Sequence, residues 1–184
     1  MSKAVMISIR PKWCEKIVNG EKTVEVRKTR PKLNTPFRCY IYCTLQGCNE
    51  FFRVDLVGDV AKWRRGKWAD RKGNVIGEFT CDRIDRLAPA NEPYGIYDID
   101  DDYVLQTCLE NGALWDYGHG TLLYGWHISN LKIYDTPKEL SEFKTLCRVD
   151  ADCCACPYYN YTKIECYGRF IGRPPQSWCY VEAM

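Results

Sequence analysis

Apolar and polar positions alternate at the start of the chain. Val5, Ile7 and Ile9 fall on one side, and Met6 and Ser8 on the other. That two-residue repeat predicts a half-buried strand. Pro11 stops it, and Trp13, Cys14 and Ile17 then share one side of a short helix. Proline is acceptable in a first helical turn because no intrahelical bond needs its missing N–H. Asn19 and Gly20 both tolerate the left-handed conformation that closes a helix. Beyond them Thr23, Glu25 and Arg27 alternate with Val24 and Val26, which predicts a second strand with its valines inward. Glu25 and Arg27 then project from one face beside Lys22, at the mouth of the turn.

The pattern continues in the same manner. Residues 37–44, FRCYIYCT, read as a strand, and residues 46–74 are a mixed segment broken by Gly47, Gly58, Gly66 and Gly73. Residues 75–84 read as a further strand, with Val75, Gly77, Phe79 and Cys81 on one face. Ile76, Glu78, Thr80 and Asp82 take the other, which would bring Glu78 to the lip that carries Lys22. The carboxylates at 98–102 lack the glycine and distal glutamate of a calcium loop. They suit the opening of a helix over 102–111, whose dipole favours acids at that end. Residues 122–134 alternate again. TPKELSEF predicts a helix over 136–143, with Thr136 as cap, Pro137 in the first turn and Glu139 as the reciprocal partner. RPPQSWCYVE ends in a short strand over 177–181.

Length and composition bound these elements to one compact α+β domain, mainly β, with an appendage: 184 residues, of which 46% are hydrophobic and six are tryptophan. No apolar run approaches the roughly 18 residues that span a bilayer. The N-terminus has no signal-like apolar centre, so a soluble cytoplasmic protein is expected. Charge is unevenly spread. Through Arg38 the chain carries ten basic residues against three acidic ones, a net of +7 where the whole chain has +2. Such a local excess is an address for phosphate or another polyanion. An exposed strand merely decorated with charge, Glu25 solvating its neighbours, is the plain alternative.

A second basic stretch, KWRRGKWADRKGN, interleaves Trp63 and Trp68 with Lys62, Arg64, Arg65, Lys67, Arg71 and Lys72. Arginines that meet phosphates and indoles that stack on bases make a single-strand binding loop. A hairpin whose tryptophans seal a core gives the same composition. His127, between Trp126 and Ile128, and His119, in a glycine-flanked loop, have no motif partner, so Ser-His-Asp chemistry has little backing.

Twelve cysteines are many for this length. Cys14, Cys39, Cys43, Cys81 and Cys108 lie among apolar residues and read as small buried hydrophobes. Cys147, Cys153, Cys156 and Cys166 cluster instead. The C-x-x-C pair Cys153–Cys156 can place two thiolates on one metal, and Cys147 and Cys166 could complete a structural four-cysteine zinc site, with Cys154 as a spare ligand. Free buried thiols are the other reading.

The first helix followed by GEKTVEVRK resembles the G-x-K-x-x-x-x-R signature of ASCH domains, members of the PUA-like superfamily. The likeness continues through YGWHISNLKIY at 124–134 and, more loosely, VIGEFTCDRI at 75–84. It covers residues 1–143, with 46–74 as an insertion or hairpin. Residues 144–184 would be a Cys-rich segment and a terminal strand packed on the same domain. The resemblance implies a pseudo-β-barrel with flanking helices, and a cleft in which Lys22, Glu25 and Arg27 are joined by Arg10 and Lys12. Members of the superfamily bind RNA or nucleotide-like ligands. Lysine would supply a point charge, arginine a planar fork and Glu25 an acceptor for a base amine, with Arg64 and Arg65 as further nucleic-acid contacts.

An enzymatic alternative follows from the same resemblance. Some small ASCH proteins are similar to amidohydrolases that deacylate N4-acetylcytidine with a lysine of this signature, a threonine three residues later and a distant glutamate. Lys22 matches the lysine, but Glu25 stands where the threonine would be and cannot serve as that hydroxyl. A variant hydrolase would hold an oxyanion on Lys22 and activate water through Glu25. A third class, a protein-recruitment module docking through aromatic surface, needs neither.

Overall fold

In the computed structural model, residues 2–45, 52–57, 60–65, 71–90, 95–146, 159–160, 165–166 and 169–184 are described. The first strand, β1 (Lys3–Ile9), leads into helix α1 (Pro11–Val18) and the short strand β2 (Val24–Arg27). Then come β3 (Phe37–Cys43), the pair β4 (Phe52–Val57) and β5 (Val60–Arg65), and the long β6 (Val75–Leu87). Helices α2 (Asp101–Thr107) and α3 (Asn111–Gly118) precede β7 (Leu123–Lys138). Short strands β8 (Lys144–Thr145), β9 (Tyr159–Asn160), β10 (Glu165–Cys166) and β11 (Arg169–Phe170) and the terminal β12 (Trp178–Glu182) follow.

Eight strands form one sheet in the order β11-β8-β12-β1-β3-β6-β7-β2, and among the described residues β4 with β5 and β9 with β10 make two-stranded pairs. β1 and β3 run parallel, joined through α1 and β2, and the other pairings are antiparallel. The last strand therefore lies beside the first, as the terminal-strand expectation required, with Ala4 opposite Val181.

The ladder itself stays open, because β2 is an edge. Side chains close it instead. Arg27 of β2 donates to the Ser8 carbonyl of β1 at 2.6 Å and to Ser177 Oγ at 3.4 Å. In the loop after β2, Thr29 Oγ1 accepts from Trp178 Nε1 at 3.0 Å, and Lys32 N donates to the Tyr180 hydroxyl at 2.7 Å. The result is a pseudo-barrel whose seam is polar.

Its interior holds Val5, Ile7 and Ile9 of β1, Cys14 and Ile17 of α1, Cys39 and Ile41 of β3, Phe79 and Cys81 of β6, and Trp126 of β7. α1 buries Cys14 and Ile17, three positions apart on one helical face. Ile17 alone contributes about 1.5–3 kcal/mol by leaving water. β1 is not half-buried as its alternation suggested: Ala4 and Met6 pack outside the barrel against Tyr40, Tyr42, Phe143 and Val181. A central strand is covered on both faces, and both of its residue sets are apolar enough for it.

Three further expectations are corrected. In β6 the register shifts between Val75 and Gly77, so Ile76 joins Phe79 in the interior while Val75 packs outside. Glu78 accepts from the Tyr134 hydroxyl at 2.9 Å, on the outer side away from Lys22. The bulge exchanges Val75 and Ile76 only; Glu78 keeps its expected place opposite Phe79 and Cys81, and that face is the outer one. Residues 136–138 remain in β7, still paired with β6 through Lys138 and Val75. Only a 3₁₀ turn, Leu140–Glu142, follows it. Its capping box joins Glu139 to Glu142, three residues later than the sequence indicated. The helix expected over 102–111 is two: Asp100 caps α2 by accepting from Tyr103 N at 2.7 Å, Cys108 ends it in the left-handed conformation, and α3 starts anew.

Candidate functional site

Gly20, at φ +76°, provides the left-handed turn that ends α1. Gly20 N donates to Ile17 O at 3.0 Å, and Glu21 N and Lys22 N both donate to Lys16 O, at 2.9 and 3.1 Å. This closure aims the chain back under the helix and delivers Lys22 to the open end of the barrel. The next residues form β2, buried on both faces. Val26 packs with Leu87, Tyr97, Leu114 and Leu123 beneath α3. The valines therefore face the α2–α3 layer rather than the barrel, the reverse of the expected orientation. Glu25 and Arg27 take the barrel side.

The exposed, charge-decorated strand is thereby ruled out. Lys22, Glu25 and Arg27 are 2%, 6% and 8% exposed. Lys22 Nζ donates to the Thr107 carbonyl, the last of α2, at 2.6 Å and lies 3.4 Å from Glu25 Oε2. Glu25 Oε1 lies 2.9 Å from Arg27 Nη2. Lys22 Nζ also sits 5.1 Å from the Trp13 ring centre, and Lys12 Nζ 4.6 Å from the same ring. The carboxylate thus stands between two cations, with an indole roofing one of them.

Burial is the main influence on Lys22, pushing its pKa below the ordinary lysine value. Glu25 opposes the shift, and Arg27 adds to it. A buried set of this kind is poor stability design, since desolvation rivals the Coulomb attraction. Yet removing one member leaves an uncompensated charge and costs about 3–5 kcal/mol. Titratable groups held at such cost beside a hollow make this place a candidate functional site.

The hollow is a cavity of about 460 Å³. Its wall includes all five residues the sequence proposed for the cleft: Arg10, Lys12, Lys22, Glu25 and Arg27. Arg10 and Lys12 are exposed at the rim. The wall also includes residues that sequence reasoning missed as site residues, among them Trp13, Ser8, Thr44, Tyr117 and Ser177. Trp13 had a signal, one position from Lys12 at the start of the helix, but it read as packing. Tyr117 and Ser177 are remote in sequence and carry no motif. Two buried polar atoms in this wall, Arg27 Nε and Thr44 Oγ1, have no hydrogen-bond partner. Polar groups left open in a charged hollow suit a polar ligand.

Other candidates fall elsewhere. Arg64 and Arg65 lie on β5, but their side chains are outside the described residues. Arg71 of the same basic stretch donates to the carbonyls of Tyr134 and Asp135, at 2.7 and 3.5 Å. His127 Nε2 is 2.6 Å from Asp85 Oδ2 and 2.9 Å from Arg83 Nη2, away from the cavity wall. His119 caps α3. Cys147, Cys153 and Cys156 lie outside the described residues, as does the side chain of Cys166 on β10. Among the described residues no group of His, Cys, Asp and Glu could hold a metal ion. Cys14, Cys39, Cys43 and Cys81 are buried free thiols, as expected. Cys108 is not a core residue: half-buried at the end of α2, it donates to the Glu21 carbonyl at 3.3 Å.

No protein-family model matches the chain, and no curated protein matches it. Solved structures do. The ASCH protein of Zymomonas mobilis superposes with a TM-score of 0.55 at 18% identity, over 97% of this chain and 87% of that one. A tyrosine-to-phenylalanine variant of that protein gives 0.56 at 19%, over 98% and 91%. A serine-to-alanine variant gives 0.55 at 18%, over 97% and 88%. Likeness at this identity establishes the fold.

Proposed function

From the premise that the chain has the ASCH fold, we propose that its cavity binds RNA or a nucleotide-like ligand. The observation that carries this reading is the convergence of Arg10, Lys12, Lys22 and Arg27 on one cavity whose described lining residues include a single carboxylate, Glu25. Four cations against one acid favour an anionic group, and low-dielectric surroundings strengthen the attraction at the buried Lys22 and Arg27. Trp13 and Tyr117 offer aromatic faces for a base, and the hydroxyls of Ser8, Thr44 and Ser177 offer shorter polar contacts. A cytoplasmic location belongs to this reading. No helix among the described residues is long and apolar enough to cross a membrane.

Fluorescence anisotropy with a labelled short single-stranded RNA tests it. Arg10→Ala with Lys12→Ala removes two exposed rim charges without disturbing the buried set, and Lys22→Ala with Arg27→Ala removes the interior pair. Both double variants should weaken binding, more at low salt than at high. Affinity untouched in a rim variant that melts like wild type would count against the proposal.

The lowered pKa of Lys22 favours one second reading, an amidohydrolase acting on a modified nucleoside such as N4-acetylcytidine. Both Glu25 oxygens already face cations, which leaves that carboxylate poorly placed to activate water. Release of cytidine from N4-acetylcytidine by wild type but not by Lys22→Ala is the result that would put this reading first.

A further inference from the structure

The loop between β2 and β3 borders a second hollow, of about 820 Å³. We propose that this hollow is a phosphate track, taking the backbone of a single-stranded polynucleotide that flanks a nucleotide held in the cavity. The proposal rests on the cavity reading above and deepens it, because it makes the ligand a strand rather than a free nucleotide.

The wall carries Lys28, Arg30 and Lys32, all exposed, and no acidic residue. In the cavity Glu25 offsets part of the positive charge, whereas among the described residues lining this hollow none is acidic, so three exposed cations set its field. Lysine and arginine alternating with Thr29 and Pro31 place cations at every second position of the loop. Tyr124 and Ile84 also line it, which gives a base a ring and an apolar surface to lie against.

The loop is held in place before any ligand arrives. Thr29 and Lys32 are fixed to Trp178 and Tyr180 of β12 by the seam hydrogen bonds, and Pro31 between them is buried. With the backbone of the loop pinned, only side-chain freedom is left to lose on binding. The two hollows are also adjacent. Lys28 lines the second, and its Nζ lies 5.1 Å from the ring centre of Tyr117, which lines the first. A strand leaving the cavity past Tyr117 meets Lys28 first and the remaining cations next.

Two labelled ligands and three variants test this. The ligands are a nucleoside monophosphate and a single-stranded RNA of about eight nucleotides, within the usual site size of single-strand binders. Arg30→Ala with Lys32→Ala should weaken the RNA about tenfold and reduce its salt slope by about 1.4, the value for two phosphate contacts on a single strand. It should leave the monophosphate unchanged. Lys132→Ala with Lys138→Ala, on the far half of β7, should leave both ligands unchanged. RNA affinity equal to wild type in the first variant overturns the track. So does an equal loss for both ligands, or an equal loss in the β7 variant, since either marks a general charge effect. Displacement of the RNA by an acidic peptide at equal concentration overturns the nucleic-acid assignment. Lys22→Met reports on the cavity separately: if it changes neither affinity, the cavity reading fails, and the track is still judged by the first variant alone.

Discussion

Arg27 reaches the backbone of Ser8 across the seam of the barrel, its Nη2 2.6 Å from the carbonyl oxygen. One guanidinium thus ties the edge strand β2 to the central strand β1 and also neutralises Glu25. Fold and charge balance meet in this side chain. Arg27→Met keeps the bulk but loses both functions, and should lower stability by about 3–5 kcal/mol in urea unfolding, the usual cost of stranding a buried partner. A loss within about 0.5 kcal/mol, typical of surface changes, would show that the seam does not depend on it.

Lys22 should titrate below 10.5, followed through its Nζ resonance, because burial disfavours the ammonium. The sign for stability follows. With its folded-state pKa depressed, the unfolded chain binds more protons between the two pKa values, so the penalty of burying the charge is full below the folded pKa and fades as pH rises through it. Affinity for an anion changes in the opposite sense over that window, falling as the ammonium is lost. Glu25→Gln removes the neighbour that opposes the shift, and should move the Lys22 midpoint further down. An upward movement would mean that Glu25 is not the carboxylate that stabilises the ammonium.

Two glycines near the site separate conformational from steric cost. A methyl group at Gly20 meets nothing within 4 Å, but its φ of +76° is costly for alanine. Gly20→Ala should cost about 1–2 kcal/mol, the penalty of the left-handed region. At Gly125 the methyl would overlap the Tyr103 hydroxyl and press on Val24. Overpacking there should cost about 1–3 kcal/mol. It should also push α2 outward, and with it the Thr107 carbonyl that holds Lys22. Anion affinity should therefore fall in Gly125→Ala. Thermal melts and binding of both variants check the contrast.

The segment from Gly20 to Arg27 was legible because its chemistry is contiguous: a turn, a lysine and a strand, read in one pass. Which face of β2 turns inward was not, since the strand is buried on both sides and alternation gives only the period. Glu25 and Arg27 occupy the interior because they satisfy one another there, while the valines meet α2 and α3. The bulge of β6 swaps Val75 and Ile76 but leaves Glu78 opposite Phe79 as expected; Glu78 misses the lip because that face is the outer one, whereas Lys22 lies on the barrel side. Ser177 lies 150 positions from Arg27 and Thr107 lies 85 from Lys22. Their roles depend on chain closure, which no local pattern records.

The C-terminal cysteines yield an expectation from spacing alone. Cys147, Cys153, Cys156 and Cys166 predict one zinc per chain after purification without chelator, measured by elemental analysis, and loss of thermal stability when the metal is stripped. Well-folded protein without zinc would retire that site.

The most direct measurement is photocrosslinking of a short single-stranded RNA carrying 4-thiouridine, with the modified peptides mapped by mass spectrometry. Crosslinks at Trp13 or Tyr117, competed by unlabelled RNA and reduced in Arg10→Ala with Lys12→Ala, are expected if the base enters the cavity those residues line. Crosslinks confined to residues 52–65, with none on the cavity wall, would contradict the assignment.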